Sequence, residues 1–149
     1  MRRESEDRET ARVQRPAALA GRGASVAFTH LPGEPAEEAT GVIAAAGGTD
    51  PAAVLALPMD VREPGAPAAV VQQVVERFGR LDILVNNASV WLRAPFLEIT
   101  RAAWQMALDI NLTGPFLMSQ AAAPHMLRQQ SGLIVNITDL SAYQTWKEY

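Results

Sequence analysis

Short apolar runs alternate along this chain with longer segments in which apolar residues recur at helical spacing. The short runs predict β-strands at residues 25–29, 53–58, 81–85 and 132–137. The longer segments predict helices at residues 36–46, 67–78 and 100–128. Because strands that alternate with helices usually pair in parallel, the pattern predicts an α/β fold built on a parallel sheet.

The long third helix carries signals for its start and for interruptions. Thr100 is a suitable N-cap, since its hydroxyl can accept a hydrogen bond from the first helical turn. Gly114, Pro115 and Pro124 each lower helix stability, so bends or breaks are expected at these positions. The strand at 81–85 is apolar almost throughout, which predicts that helices cover both of its faces.

The first residues differ in composition from the rest of the chain. Residues 1–16 are rich in arginine and acidic side chains and poor in apolar ones. Such a segment cannot bury enough surface to offset its ordering entropy, so we predict a disordered or non-native leader. The alternating pattern begins at residue 17, and residues 17–149 are predicted to form one partial domain.

Polar residues follow three of the predicted strands directly. Ligands of open parallel sheets bind at the carboxyl ends of the strands, so these residues are candidates for a binding site. They are Asp60 with Val61, then Asn86, Asn87, Ala88 and Ser89, and finally Thr138 with Asp139. Asp and Asn also favour strand-end turns for purely structural reasons, and each residue taken singly has that alternative explanation.

The segment Leu-Asp-Ile-Leu-Val-Asn-Asn-Ala-Ser at residues 81–89 resembles the Asn-Asn-Ala-Gly segment of short-chain dehydrogenases/reductases, with Ser89 in place of the usual Gly. Asp60 and Val61 stand where that family has an Asp and an apolar residue that hold the adenine. Asn111 stands where the family has the Asn of its catalytic tetrad. Residues 132–137 resemble the strand that delivers the catalytic Ser.

The resemblance implies an incomplete Rossmann-like, doubly wound parallel sheet that binds a dinucleotide. It implies an NAD(P)(H)-dependent oxidoreductase that moves a hydride between nicotinamide and a carbonyl or alcohol carbon of a small molecule. NADP is preferred to NAD, because Thr29 and His30 supply no acidic residue for the ribose hydroxyl. The implied cofactor-binding residues are Asp60, Val61, Asn86, Asn87 and Ala88, and the implied catalytic residues are Asn111 and Asp139.

This chain departs from the family pattern at the position of the catalytic Ser. Asp139 stands there, which resembles the pteridine-reductase-like branch, and Ser141 is the competing candidate two residues later. Asp139 would orient substrate or relay a proton. Its structural alternative is a capped strand end with no chemical role.

A second departure concerns both ends of the pattern. The family's Tyr-x-x-x-Lys pair falls beyond Tyr149, and neither Tyr143 nor Tyr149 has a Lys four residues later. The first strand and the Gly-rich phosphate loop are missing as well. We therefore expect this chain alone to be inactive and to bind dinucleotide weakly if at all. The alternative is an inert remnant that acts only in dimerisation through the 100–128 helix.

Composition narrows the remaining function classes. The net charge of −3 gives no basic field for nucleic acid or an anionic membrane, and apolar runs are too short to span a bilayer. The absence of cysteine excludes disulfides and thiolate chemistry and fits a cytoplasmic protein. His30 and His125 stand far apart without a carboxylate cluster, so no metal site is predicted.

Overall fold

The computed structural model describes residues 18–34, 50–91 and 94–139. Its main elements are β1 (Val26–His30), β2 (Val54–Pro58), α1 (Ala66–Phe78), β3 (Ile83–Asn86), α2 (Arg101–Leu108), α3 (Gly114–Gln129) and β4 (Leu133–Asn136). A π-helix, Asp109–Thr113, joins α2 to α3. Each predicted strand is found within two residues of its expected bounds. The expected leader and the expected helix at 36–46 lie outside the described residues.

The strands pair in parallel, as predicted, in two sheets of two strands. β1 pairs with β2 from Val26 opposite Val54 to His30 opposite Pro58. β3 pairs with β4 from Ile83 opposite Leu133 to Asn86 opposite Asn136. The chain forms two compact units, Met1–Asp60 and Val61–Tyr149, and each unit contains one of these sheets. The architecture is α/β with short parallel sheets, as in an incomplete Rossmann fold.

In the first unit, a small apolar cluster packs against the β1–β2 sheet. Ala20, Val26 and Val54 are buried, and the half-buried ring of Phe28 packs against them. Gly23 has a φ of 83°, a left-handed conformation that glycine adopts without a steric penalty. The turn that contains Gly23 therefore leads the chain from the residues around Ala20 into β1.

Helix α1 forms because its apolar residues recur at helical spacing and its ends are well marked. Pro67 occupies the first turn, where a missing N–H costs nothing. Val70, Val71 and Val74 are buried on one face. Gly79, at a φ of 78°, ends the helix and donates its backbone N–H to the carbonyl of Val75.

In the second unit, α3 packs on one face of the β3–β4 sheet. Leu84, Ala122 and Met126 form its buried core, with Leu81, Met118 and Ile134 packed around them. Alternate side chains of a strand point to opposite faces, and Ile83 and Val85 remain 48% and 40% exposed. Among the described residues α3 covers one face of β3, whereas the coverage expected on the other face is not seen at Ile83 and Val85.

The long predicted helix continues from α2 through the π-helix into α3, and the backbone at Thr113 and Gly114 stays right-handed helical, so the break expected at Gly114 and Pro115 is not found. Thr100 caps α2 as expected, with its Oγ1 accepting a hydrogen bond of 3.1 Å from the Ala103 N–H. The π-helix then ends at Thr113, and α3 begins with Pro115 in its first turn. Pro124 lies inside α3, which continues through it to Gln129. No helix in the described ranges is long and apolar enough to cross a membrane.

Candidate cofactor and active site

Asn86, the last residue of β3, is buried at the junction of β3, β4 and α3, with 9% of its surface exposed. Its Nδ2 donates to Asn136 Oδ1 at 2.8 Å, Ser119 Oγ at 3.3 Å and the Pro115 carbonyl at 3.4 Å. Ser119 Oγ in turn donates to the Pro115 carbonyl at 2.6 Å. The Asn86 amide is thus engaged within the protein, and it holds the two strand ends and the helix together.

Asn111 lies in the π-helix and holds the segment that follows β3. Its Oδ1 accepts from the Val90 N–H at 2.9 Å, and its Nδ2 donates to the Val90 carbonyl at 2.9 Å. We call this pair of bonds the Asn111–Val90 clamp. The side-chain amide acts here as a peptide group does in a strand pair, since it satisfies both polar groups of one residue. Asn111 is thereby fixed within one turn of the end of α2.

A second amide forms the same arrangement before β3. Gln129 Oε1 accepts from the Leu81 N–H at 3.0 Å, and Gln129 Nε2 donates to the Leu81 carbonyl at 3.0 Å. Gln129 is the last residue of α3, and Leu81 lies two residues before β3. The helical segment 109–129 is therefore bonded to the chain on both sides of β3.

Val61, which follows Asp60 directly, is buried, with 8% of its surface exposed. It packs against Gly114, the first residue of α3: a Cβ added to Gly114 would lie 2.7 Å from Val61 Cγ2 and 3.0 Å from Val61 Cγ1. Asp60 is the last residue of the first unit and is partly buried. The close approach of Val61 and Gly114 holds Val61 against the start of α3 within the second unit.

The remaining candidate residues lie on the surface. Asn87, Ala88 and Ser89 follow Asn86 and are exposed, and Asp139, beyond the end of β4, is exposed too. Because Asn86 and Asn136 are opposite each other at the strand ends, the two exposed segments leave the same edge of the sheet. Ser141, Tyr143 and Tyr149 lie outside the described residues.

An exposed ion pair marks the turn that leads into β3. The hydrogen bond to Asp82, followed by the charge of that carboxylate, raises the pKa of the Arg80 guanidinium. Nη2 of Arg80 lies 2.6 Å from Asp82 Oδ1. Both side chains are exposed, so the pair shapes this turn and gives little stability.

Four residues of this region were not predicted from the sequence: Asn136, Ser119, Gln129 and Gly114. Asn136 carried a readable signal, because both β3 and β4 are three apolar residues followed by Asn, which places two amides at neighbouring ends of parallel strands. Ser119, Gln129 and Gly114 carried none, since their roles depend on how α3 lies across the sheet. Gly114 was interpreted only as a helix breaker.

Comparison with known proteins identifies the family. Residues 16–149 match the family model described as enoyl-(acyl carrier protein) reductase. A solved Serratia marcescens short-chain dehydrogenase/reductase superposes with a TM-score of 0.75 at 34% identity, over 87% of this chain and 51% of that one. This chain belongs to the short-chain dehydrogenase/reductase family. The resemblance of residues 81–89 to that family is thereby confirmed.

Curated relatives of this short-chain dehydrogenase/reductase chain carry several different activities in their names. D-threitol dehydrogenase of Mycolicibacterium smegmatis is 39% identical over 84% of this chain and 46% of its own length. A 3-oxoacyl-[acyl-carrier-protein] reductase of Synechocystis is 33% identical over 83% of this chain and 49% of its own length. The chain spans about half the length of these relatives. Their substrates differ, so family membership by itself assigns none.

Proposed function

We propose that this chain is part of an NAD(P)(H)-dependent oxidoreductase that acts on a carbonyl or alcohol carbon of a small molecule. The observation that carries the proposal is the Asn111–Val90 clamp, which joins the predicted catalytic Asn to the segment that follows Asn86. The nicotinamide group, when bound, supplies or accepts the hydride. The chain's own residues hold the cofactor and orient the substrate.

The residues proposed to bind the cofactor are Asp60, Val61 and those of the segment that begins at Asn86. Val61 is buried, so its packing fixes the backbone at this position, and the partly buried Asp60 beside it carries a carboxylate. Asn87 and Ala88 are exposed and can approach the cofactor directly. Asn86 would act without touching the cofactor, because the hydrogen bonds of its side-chain amide fix the direction in which Asn87 and Ala88 leave β3.

The proposed catalytic residues are Asn111 and Asp139. Both polar atoms of the Asn111 side chain are hydrogen-bonded to Val90. Asn111 would therefore fix the shape of the site rather than bind substrate through its amide. Asp139 is exposed just past β4, and its carboxylate can orient substrate or relay a proton. The placement of Asp139 also motivates the proposed likeness to the pteridine-reductase-like branch, with Ser141 as the alternative.

We prefer NADP(H) because neither Thr29 nor His30, at the end of β1, carries a carboxylate for the ribose hydroxyl. One contact favours NAD(H) instead. Glu34 Oε2 accepts from the Leu31 N–H at 3.2 Å, which brings a negative charge to the loop after β1. The affinities of the wild type and of Glu34→Gln for 2′-AMP and 5′-AMP distinguish a preference for NADP(H) from a preference for NAD(H). If Glu34 disfavours a 2′-phosphate, the variant gains affinity for 2′-AMP only.

The second candidate function is dimerisation without catalysis, in a cytoplasmic protein. Large apolar side chains are exposed on and before the helices 101–129, at Phe96, Leu97, Trp104, Leu112 and Phe116. Exposed apolar groups of this size commonly mark protein contacts. A Trp104→Ser/Phe116→Ser variant that changes the mass measured by light scattering would favour this function.

Binding of adenine nucleotides by the purified 149-residue chain tests the main proposal. We expect weak binding of 5′-AMP in ligand-observed NMR, lost in Asp60→Ala and retained in Asp50→Ala, which removes an exposed carboxylate elsewhere in the same unit. We expect no turnover of NADPH with aldehydes, ketones or pterins. Equal 5′-AMP signals from the wild type and Asp60→Ala would reject the assigned adenine site, and steady NADPH oxidation proportional to protein would reject the proposed inactivity.

A further inference from the structure

We propose that Gly114 is a positioning residue of the adenine site, because the space above its Cα is what fixes the position of Val61. The proposal rests on the function proposed above, since it takes Asp60 and Val61 as adenine-binding. Gly114 lies far from both in sequence, in the first turn of α3. It would act through Val61 and not by touching the ligand.

The backbone of Gly114 does not require glycine. Its φ and ψ are −57° and −56°, an ordinary right-handed helical conformation. Alanine is preferred to glycine in such a conformation, because glycine loses more backbone entropy on folding. The requirement at this position must therefore come from space and not from backbone geometry.

The space is taken by Val61. The position that a Cβ of residue 114 would occupy lies 2.7 Å from Cγ2 and 3.0 Å from Cγ1 of Val61, closer than carbon atoms pack. Both methyl groups face the glycine, so a rotation of 120° about χ1 still leaves one of them there. Val61 is only 8% exposed, and its neighbours limit any other displacement.

The same helical turn also holds the segment after β3. The π-helix Asp109–Thr113 contains Asn111, which is bonded to Val90, and it ends directly before Gly114. One short stretch of backbone thus contacts the residue that follows Asp60 and the residue that follows Ser89. A methyl group at residue 114 would push Val61 away from this turn, and we expect it to displace Val61 from the position in which it binds adenine.

The test compares four variants of the full chain, with 5′-AMP as the probe. Gly114→Ala adds the methyl group, Val61→Ala removes the groups it would strike, and the double variant combines both. Gly132→Ala is the matched control, because its added Cβ would lie 2.5 Å from Met126 Cγ at the other end of α3. Denaturant unfolding measures stability, and NMR titration measures the Kd for 5′-AMP.

We expect Gly114→Ala to raise the Kd for 5′-AMP about tenfold, because an overpacked contact displaces its neighbours. We expect Gly132→Ala to lose stability while keeping wild-type affinity, and the double variant to bind as Val61→Ala does. If Gly114→Ala does not fold, the comparison of the double variant with Val61→Ala tests the proposal. A double variant that binds more weakly than Val61→Ala would show that the methyl group acts elsewhere, and it would overturn the proposal.

Two failures remain distinguishable. If the wild type binds 5′-AMP and Gly114→Ala binds it equally well, the role of Gly114 is rejected and the adenine site stands. If the wild type does not bind 5′-AMP at all, the assignment of Asp60 and Val61 is rejected, and the positioning role is rejected with it.

Discussion

The side-chain amide of Asn111 forms two hydrogen bonds with the backbone of a single residue, Val90. Gln129 repeats the arrangement with Leu81, so two amides of one helical stretch hold the chain before and after β3. Between them, Asn86 bonds to Asn136 and to the first turns of α3. Polar side chains therefore determine how this helix lies on the sheet, together with the apolar core around Ala122 and Met126.

Replacing Asn111 should loosen the segment after β3. Asn111→Ala removes both bonds to Val90, and we expect a loss of about 1 kcal/mol in the free energy of unfolding, since both groups are accessible to water. Hydrogen exchange of the Val90 amide should become faster. Gln105→Ala, which loses only an exposed bond to Asp109, serves as the control. Unchanged exchange at Val90 in Asn111→Ala would contradict the clamp.

The two hydrogen bonds between Gln129 and Leu81 offer a test that separates the donor of the side-chain amide from its acceptor. Gln129→Glu keeps an oxygen that can accept from the Leu81 N–H but loses the donor to the Leu81 carbonyl. We expect this variant to lose at least as much stability as Gln129→Ala, which should itself lose about 1 kcal/mol, because the second carboxylate oxygen faces the Leu81 carbonyl oxygen. Chemical denaturation measures both. A clearly smaller loss in Gln129→Glu than in Gln129→Ala would mean that the bond accepted from the Leu81 N–H carries most of the stability.

The bond between Asn86 and Asn136 should show strong coupling. Asn86→Ala leaves Asn136 Oδ1 without its donor in a partly buried place, and we expect a cost of about 2 kcal/mol. In the double variant with Asn136→Ala, the two losses should be less than additive, because residues that share a hydrogen bond are coupled. A double-mutant cycle from urea unfolding measures the coupling. Strict additivity would argue against the bond.

Gln130 is the one position in the described ranges where a residue other than glycine has a positive φ, at 54°. It ends α3 in the left-handed conformation that glycine adopts with least strain. We expect Gln130→Gly to stabilise the protein by about 0.5 kcal/mol in thermal or denaturant unfolding. Ala68→Gly, on the exposed face of α1, should instead destabilise it by about 1 kcal/mol. A destabilised Gln130→Gly would contradict the strain argument.

The sequence alone predicted the four strands, the start of α2 at Thr100 and the family, because these depend on local pattern and on residues close together in the chain. It overestimated the interruption at Pro124, since α3 continues through that residue. It also expected β3 to be covered on both faces, whereas Ile83 and Val85 are exposed. An apolar run shows that both faces of a strand are suited to burial, but the tertiary packing determines which elements cover each face.

The tertiary structure decided what each polar residue does. The sequence predicted Asn86 and Asn111 as site residues. In the structure their side chains form hydrogen bonds to Asn136 and Val90, which lie 50 and 21 positions away in the chain. Gly114 and Gln129 gained their importance only from where α3 crosses the chain. The contacts of Asn111, Gly114 and Gln129 depend on distances between residues far apart in the chain, which no local pattern encodes, and for that reason only the fold determines them.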